Sequence, residues 1–200
     1  MGNTEIFDMM ANDYDTFERI QIAKLASDAI RESLVNGKEK QAIDFGCGTG
    51  LVGMNLLNEF ESILFLDSSQ SMIDQIKKKI TEYDIANADT LCFDLEKEKS
   101  SALYADYIFM AQVLLHIKET DFALSRLFEM LNPGGHLIIV DFNKNEDIIS
   151  DLVHNGFDLN ELTELLKNIG FKKVQSKTFY NGSKIFMNKD ASMFILDAIK

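Results

Sequence analysis

The chain has little of what several special classes of protein require. Its 200 residues contain a single proline, Pro133, and no low-complexity segment or obvious repeat, so no proline-rich linker divides it. Lys and Arg number 20 against 32 Asp and Glu, and the densest cationic group, residues 77–79, lies beside acids. Tight binding to a nucleic-acid backbone needs clustered cations, so a nucleic-acid partner is disfavoured.

Cysteines and long apolar runs are equally sparse. Cys47 and Cys92 are the only cysteines, and their separation does not fit a metal-ligand spacing. The chain shows no secretory signal, which favours reduced thiols over a disulfide. No apolar run approaches the length that spans a bilayer. We therefore expect a soluble, cytoplasmic protein with no metal site and no membrane partner.

What is present is an alternation of strand-like and helix-like stretches. Short apolar runs bounded by turn residues predict five strands, in the segments QAIDF, SILFLD, DTLCFD, ADYIFM and GHLIIVDF. Helical periodicity predicts intervening helices in LVGMNLLNEF, QSMIDQIKKKITEY and TDFALSRLFEML. This β-α-β-α order is typical of an α/β protein with a mainly parallel sheet and helices on both faces.

Both ends of the chain add elements to this pattern. A helix is predicted before the first strand, in FERIQIAKLASDAIRESL. A later helix, DLNELTELLKNIG, has Asp158 as its candidate N-cap and Gly170 as its candidate C-cap. Two strands, FKKVQSKTFY and SMFILDAIK, follow with an irregular segment between them. No helix separates these two strands, which leaves an antiparallel pairing open.

Glycine is concentrated where the first strand ends. Gly46, Gly48 and Gly50 alternate with single residues in AIDFGCGTG, between a predicted strand and a predicted helix. In open α/β sheets this turn is where nucleotide-like ligands bind, because glycine permits positive φ and close approach to the backbone. The alternative is a tight turn with nothing bound, and the three alternating glycines disfavour that interpretation.

The spacing narrows the choice of ligand. A dinucleotide fingerprint would place its third glycine at Leu51, and no G-K-[ST] follows to make a phosphate-binding loop. Asp67 ends the next predicted strand, 17 residues after Gly50. A carboxylate there can accept hydrogen bonds from both hydroxyls of a ribose.

These segments together resemble the class I S-adenosylmethionine-dependent methyltransferases. The resemblance rests on AIDFGCGTG with LFLDSSQSMID and continues in order through CFDLE, ADYIFMAQVLLHI, LNPGGHLIIVDF and FDLNELTELLKNIGFKKV. The opening FDMMANDYDTFER is similar to small-molecule methyltransferases of the ubiquinone/menaquinone-biosynthesis type. The resemblance implies a Rossmann-like sheet of seven strands, mostly parallel, with an antiparallel last strand.

The resemblance also implies a role for individual residues in binding S-adenosyl-L-methionine. Gly46, Cys47 and Gly48 would lie against its methionine part, with Asp44 supporting the loop and the backbone of Met110 and Ala111 nearby. The ribose would bind Asp67. The adenine would lie near the remaining members of the set, which are Ser68, Met72, Asp94 and Leu95. Asp67 and Asp94 have structural alternatives as strand ends or turn caps, and Met72 has one as a core residue.

One histidine is a candidate catalytic residue. His116 follows the fourth strand in VLLHIKE, and an imidazole there could act as general base if the acceptor must lose a proton. The alternative is a structural histidine that packs at a helix start. His154 is a weaker candidate to line the acceptor pocket, which residues 143–158 and 180–190 are expected to shape. Cys47 is not expected to act as a nucleophile.

The N-terminal region is expected to cover the cofactor. We divide a single methyltransferase domain, residues 1–200, into a helical lid segment, residues 1–38, and a Rossmann-like core, residues 39–200. Tyr14 and Arg19 are candidate cofactor-binding residues of the lid. An apolar helical face is predicted from the spacing of four residues, Phe7, Met10, Tyr14 and Phe17.

The sequence thus predicts a methyltransferase, monomeric or homodimeric, that acts on a small-molecule methyl acceptor. Two alternatives remain: a protein that binds S-adenosylmethionine without transferring its methyl group, and a nicotinamide-dependent oxidoreductase, against which Leu51 argues. Methylation of DNA is disfavoured because MAQVLLH lacks the prolines of the N/D-P-P-Y motif.

Overall fold

The computed structural model describes residues 8–9, 14–95, 97 and 103–200. Seven strands form one sheet in the order β3-β2-β1-β4-β5-β7-β6. The strands are β1 (Gln41–Phe45), β2 (Ser62–Asp67), β3 (Ala88–Cys92), β4 (Ala105–Ala111), β5 (Leu131–Phe142), β6 (Lys172–Phe186) and β7 (Lys189–Ile199). The α-helices are α1 (Phe17–Ser33), α2 (Gln70–Glu82), α3 (Thr120–Met130) and α4 (Leu159–Ile169).

The strand pairing confirms the predicted topology. β1 to β5 are parallel to one another, whereas β7 lies antiparallel between β5 and β6. The change of strand order beside β1 brings the carboxyl ends of β1, β2 and β4 together at one edge. In open α/β sheets that point is where ligands bind.

Each face of the sheet carries its own core. Alternate side chains of the strands pack on one side against α3 and α4, through residues such as Leu124 and Leu166. On the other side they pack against α1 and α2, through residues such as Ile30 and Ile76. None of the helices in the described part of the chain is long and apolar enough to cross a membrane.

The caps of the last helix confirm the sequence analysis. The Asp158 carboxylate accepts from Asn160 N at 2.8 Å and Glu161 N at 3.2 Å, so it satisfies amides that α4 leaves without partners. Gly170 ends the helix at φ 122° and donates to the Leu166 and Lys167 carbonyls.

The helix predicted after the glycine turn is a 3-10 helix, Gly53–Glu59, rather than an α-helix. The Asn55 side-chain amide donates to the Leu51 carbonyl at 3.0 Å, while Asn55 N donates to the Val52 carbonyl. In an α-helix the Leu51 carbonyl would accept from Asn55 N. The side chain occupies that acceptor, which favours the tighter turn.

The prediction of an irregular segment between the last two strands is wrong, because β6 and β7 form one long hairpin. Its two-residue turn, Met187 and Asn188, has φ of 47° and 60°. Two consecutive positive φ values define the turn type that matches strand twist. The sequence signal was weak because methionine is unusual in such a turn.

Candidate functional site

A cavity of about 560 Å³ opens at the carboxyl ends of β1, β2 and β4. This volume lies within the range of small-molecule sites. Twelve of the predicted site residues line it: Tyr14, Arg19, Gly46, Cys47, Gly48, Asp67, Ser68, Met72, Asp94, Leu95, Ala111 and His116. The remaining two, Asp44 and Met110, do not line it.

The glycine turn forms the floor of the cavity. Gly46, Gly48 and Gly50 have φ of 67°, 53° and 82°, a conformation that other residues adopt only with strain. The Gly46 and Cys47 amides both donate to the Leu66 carbonyl, at 2.8 and 3.0 Å, which ties the turn to β2. The turn is therefore held in one place, with Gly46 and Gly48 in the lining of the cavity.

Val113 fixes the size of the residue that the turn can hold at Gly46. A Cβ at that position would lie 2.5 Å from Val113 Cγ1, inside van der Waals contact. Sequence analysis missed Val113, since no local pattern connects the turn after β4 with the turn after β1.

Asp44 supports the turn from within the core. Its carboxylate is buried and accepts from Gly53 N at 3.0 Å, three residues after Gly50, and its role toward a cofactor remains a prediction. Burial raises the pKa of Asp44 to about 8, because a charge is poorly solvated there.

Asp67 joins the two turns that border the cavity. Its Oδ2 accepts from Gly48 N at 2.8 Å, and its Oδ1 accepts from Ser69 N at 2.9 Å. Burial raises the pKa of Asp67, and these amide contacts oppose the shift. Each carboxylate oxygen has a second acceptor position, so the group can accept further hydrogen bonds from a ligand.

The predicted adenine-side residues lie together along the same wall. Ser68 and Met72 flank the N-terminus of α2, where Met72 is 1% exposed and Met72 N donates to the capping Ser69 hydroxyl. Asp94 follows β3 and forms a 2.6 Å ion pair with Lys97, and Leu95 is adjacent. The side chain of Lys97 is 80% exposed, which leaves this ion pair open to solvent screening.

The turn after β4 forms the opposite wall. Ala111 lines the cavity, whereas Met110 is fully buried in the core, and its role remains a prediction. Gln112, which sequence analysis missed, lines the cavity with φ 55° and donates from its backbone to the Val140 carbonyl at 2.8 Å. A non-glycine residue held in this conformation stores strain, a frequent property of functional sites.

His116 ends a short 3-10 helix that begins at Leu114. The buried Asp141 accepts from Leu115 N at 3.2 Å, and the His154 ring donates from Nε2 to the Ile117 carbonyl at 2.8 Å. These contacts position the turn around His116 and give His154 a structural place outside the cavity lining. Burial lowers the pKa of His116 to about 4, so its imidazole is neutral near pH 7.

Tyr14 and Arg19 contribute to the cavity lining from the N-terminal part of the chain. The Arg19 guanidinium lies 4.1 Å from the centre of the Tyr14 ring, and Arg19 Nη1 donates to the Tyr14 carbonyl at 3.0 Å. Tyr14 Cε1 lies 3.7 Å from where a Cβ at Gly48 would be.

The prediction of an apolar helical face in this segment is wrong for Tyr14 and Phe17, the two of its four residues that the structure describes. Phe17 is 73% exposed, because α1 begins only at Phe17 and Tyr14 lies before the helix. Tyr14 and Phe17 therefore do not share a helical face. Phe7 and Met10 lie outside the described residues.

The mouth of the cavity contains apolar side chains that sequence analysis did not identify. Phe122 and Leu152 line it and are 47% and 55% exposed. Leu152 and Asp151 belong to the segment expected to shape the acceptor pocket, but no described residue of 180–190 lines the cavity. Among the described residues, no three His, Cys, Asp or Glu side chains are grouped to hold a metal ion.

The contribution of Asp44 to the free energy of unfolding is expected to fall as the pH rises from about 4 to about 8 and to stay constant above that range. Its folded-state pKa of about 8 lies well above the ordinary value for an aspartate, so the folded protein holds a proton that the unfolded chain has released. That contribution is lost as the pH rises through 8. Asp44→Asn should reduce the dependence.

Urea denaturation across this pH range measures the effect. Asp141, whose pKa burial raises to about 7, acts with the same sign and remains in the variant, so the difference from the parent isolates Asp44. Asp74→Asn, at an exposed position of α2, is the control. Equal pH dependence in the parent and Asp44→Asn would contradict the assignment.

Comparison with known proteins agrees with this geometry. A family model described as "Methyltransferase domain" matches residues 43–137. The malonyl-[acyl-carrier protein] O-methyltransferase 2 of Ilyobacter polytropus is 30% identical over 142 residues, which cover 70% of this chain and 53% of that protein. The ubiquinone biosynthesis O-methyltransferase of Coxiella burnetii is 28% identical over 114 residues, covering 57% and 48% of the two chains. The chain thus spans about half the length of these curated relatives.

A solved structure shows the same fold. Phosphoethanolamine N-methyltransferase 2 of Haemonchus contortus, in complex with S-adenosyl-L-methionine, superposes with a TM-score of 0.70 at 16% identity. The match covers 88% of this chain and 52% of that one.

Proposed function

Because the chain belongs to the class I S-adenosylmethionine-dependent methyltransferases, we propose that its cavity binds S-adenosylmethionine and that the protein methylates a small molecule. The observation that carries this proposal is the joining of the glycine turn to Asp67. The Gly48 amide donates to the carboxylate at 2.8 Å, so a backbone floor and a hydroxyl-binding group occur side by side.

The residues present fit this cofactor chemically. Gly46 and Gly48, both at positive φ, provide backbone surface without side chains in the cavity lining, and Asp67 provides the acceptors for a ribose. Met72 and Leu95, which are 1% and 6% exposed, provide apolar surface for a base. When bound, the cofactor supplies an electrophilic methyl group on a sulfonium sulfur.

The chain's own contribution to transfer is binding, orientation and exclusion of water. Gly46, Ala111 and Gln112 border the end of the cavity where the methyl group would be presented. Tyr14 and Arg19, which line the cavity, are proposed to cover it. Phe122 and Leu152 form an apolar entrance that suits a small acceptor with apolar surface.

His116 is the proposed general base, if the acceptor requires one. At neutral pH its imidazole is unprotonated and can accept a proton, but a pKa of about 4 makes it a weak base. An acceptor whose nucleophilic atom carries no proton that must be lost would not need it. In that case the proposed role of the turn that contains His116 is to position the acceptor.

The charge balance supports a small-molecule acceptor rather than a nucleic acid. The net charge is −12, and the densest cationic group of the chain, residues 77–79, lies beside acids. The proposed working form is a monomer or a homodimer.

We expect S-adenosylmethionine and S-adenosylhomocysteine to bind, and NAD not to bind. Leu51 stands where a dinucleotide site would have its third glycine. Isothermal titration calorimetry with the three ligands measures this directly. Preference for NAD, or no binding of either adenosyl ligand, would overturn the proposal.

Turnover needs a second measurement, because a protein can keep this cavity and transfer nothing. Incubation with S-adenosylmethionine carrying a labelled methyl group and a metabolite extract should yield a labelled small molecule. Binding without any labelled product would favour the alternative of a binding protein without transferase activity.

A further inference from the structure

Lys79 joins two segments of the chain that border the cavity. Its ammonium donates to Asp15 Oδ2 at 2.9 Å and to the Thr49 carbonyl at 2.8 Å. The Thr49 hydroxyl in turn hydrogen-bonds to Asp15 Oδ1. Both oxygens of the carboxylate are therefore used, and the three residues form a closed network.

The members of this network come from separate parts of the fold. Asp15 lies before α1 and next to Tyr14, which covers Gly48. Thr49 lies between Gly48 and Gly50 and is 2% exposed. Lys79 lies near the end of α2 and is not part of the cavity lining.

This network restricts the conformation of the glycine turn, which its own glycine-rich sequence would leave flexible. Alternating glycines lose much conformational freedom when they are ordered, so the turn is costly to hold in one shape. A charge-assisted hydrogen bond to the Thr49 carbonyl fixes it in the middle. A preorganised site binds its ligand more tightly, because less ordering remains to be done on binding.

The N-terminal segment is held by the same ion pair and by a second contact. Asp8 Oδ1 accepts from the Ser69 hydroxyl at 2.5 Å and from Ser71 N at 3.3 Å, at the start of α2. Helix α2 therefore contacts this segment near both of its ends. Of these two contacts made by α2, the one through Lys79 also reaches the glycine turn.

We propose that Lys79 is a positioning residue that couples the N-terminal segment to the glycine turn, so that ligand affinity depends on a side chain outside the cavity. The inference rests on the proposed function only for the identity of the ligand. The side chains of Lys79 and Asp15 are 28% and 34% exposed, which keeps the expected effect moderate.

Lys79→Met should weaken binding of S-adenosylhomocysteine about three- to tenfold, as measured by calorimetry. Lys78→Met, at an exposed position of the same helix, is the matched control and should bind like the parent. Lys79→Arg keeps the charge and should recover part of the affinity. Asp15→Asn should weaken binding as well, and the double variant with Lys79→Met should lose less than the sum.

Hydrogen exchange separates this coupling from a general loss of stability. In ligand-free protein, Lys79→Met should speed exchange in residues 14–20 and 46–50 and leave α4 unchanged. Parent-like affinity in Lys79→Met, or full additivity with Asp15→Asn, would overturn the inference. If the parent binds no S-adenosylhomocysteine while exchange still rises in both segments, the proposed function fails and the coupling stands.

Discussion

The Asp67→Ala variant is expected to bind S-adenosylhomocysteine roughly thirtyfold or more weakly than the parent protein, a loss of about 2–3 kcal/mol. The substitution removes a half-buried carboxylate that would accept from both ribose hydroxyls. It also leaves the Gly48 and Ser69 amides without their acceptor, which loosens both turns beside the cavity. Calorimetry measures the affinity, and circular dichroism checks the fold.

Two further variants make the test specific. Asp74→Ala removes an exposed carboxylate from α2 and should bind like the parent. Asp67→Asn keeps one acceptor oxygen and should lie between the parent and Asp67→Ala. If Asp67→Ala keeps the parent's affinity, the assignment of Asp67 to the ribose is wrong.

Gly156→Ala is expected to destabilise the protein by about 2–5 kcal/mol. Gly156 has φ 93°, and an added Cβ would lie 2.3 Å from the Asn143 carbonyl oxygen and 2.9 Å from that of Phe142. Those atoms are backbone, and the Phe142 carbonyl accepts from Phe157 N at 3.0 Å. The clash therefore cannot be relieved by turning a side chain. Urea denaturation gives the free energy of unfolding.

Gly134→Ala separates the clash from the backbone strain. Gly134 has φ 77°, but a Cβ there would meet nothing within 4 Å, so only the cost of positive φ applies, about 1–2 kcal/mol. The two glycines differ in crowding and share a conformation. An equal loss in both variants would show that the close approach at Gly156 is absorbed by movement of the chain.

Local sequence was sufficient for most of the sheet. β1 and β2 match their predicted segments QAIDF and SILFLD, because buried parallel strands are short apolar runs with clear ends. The glycine turn and Asp67 were also accessible, since each marks the end of a strand. A parallel sheet brings such ends to one edge, so order along the chain predicts proximity in space.

The parts that could not be predicted depend on contacts between distant residues. Val113 limits Gly46, and Lys79 binds Asp15, but neither pair has a spacing or motif that connects it. Phe17 shows that a local pattern can also mislead. Periodicity predicted that Tyr14 and Phe17 share a helical face, but α1 begins only at Phe17, which is exposed. Such features follow from how elements pack, which no local pattern records.

The position of β7 has a consequence for synthesis. β5 carries the apolar run 137–140, fully buried, and one of its two edges is covered only by residues 193–199. While the ribosome is still making those residues, that edge has unpaired amides and carbonyls beside strongly apolar side chains. Such an edge can pair with another nascent chain, so the growing polypeptide is most prone to aggregation just before its seventh strand emerges.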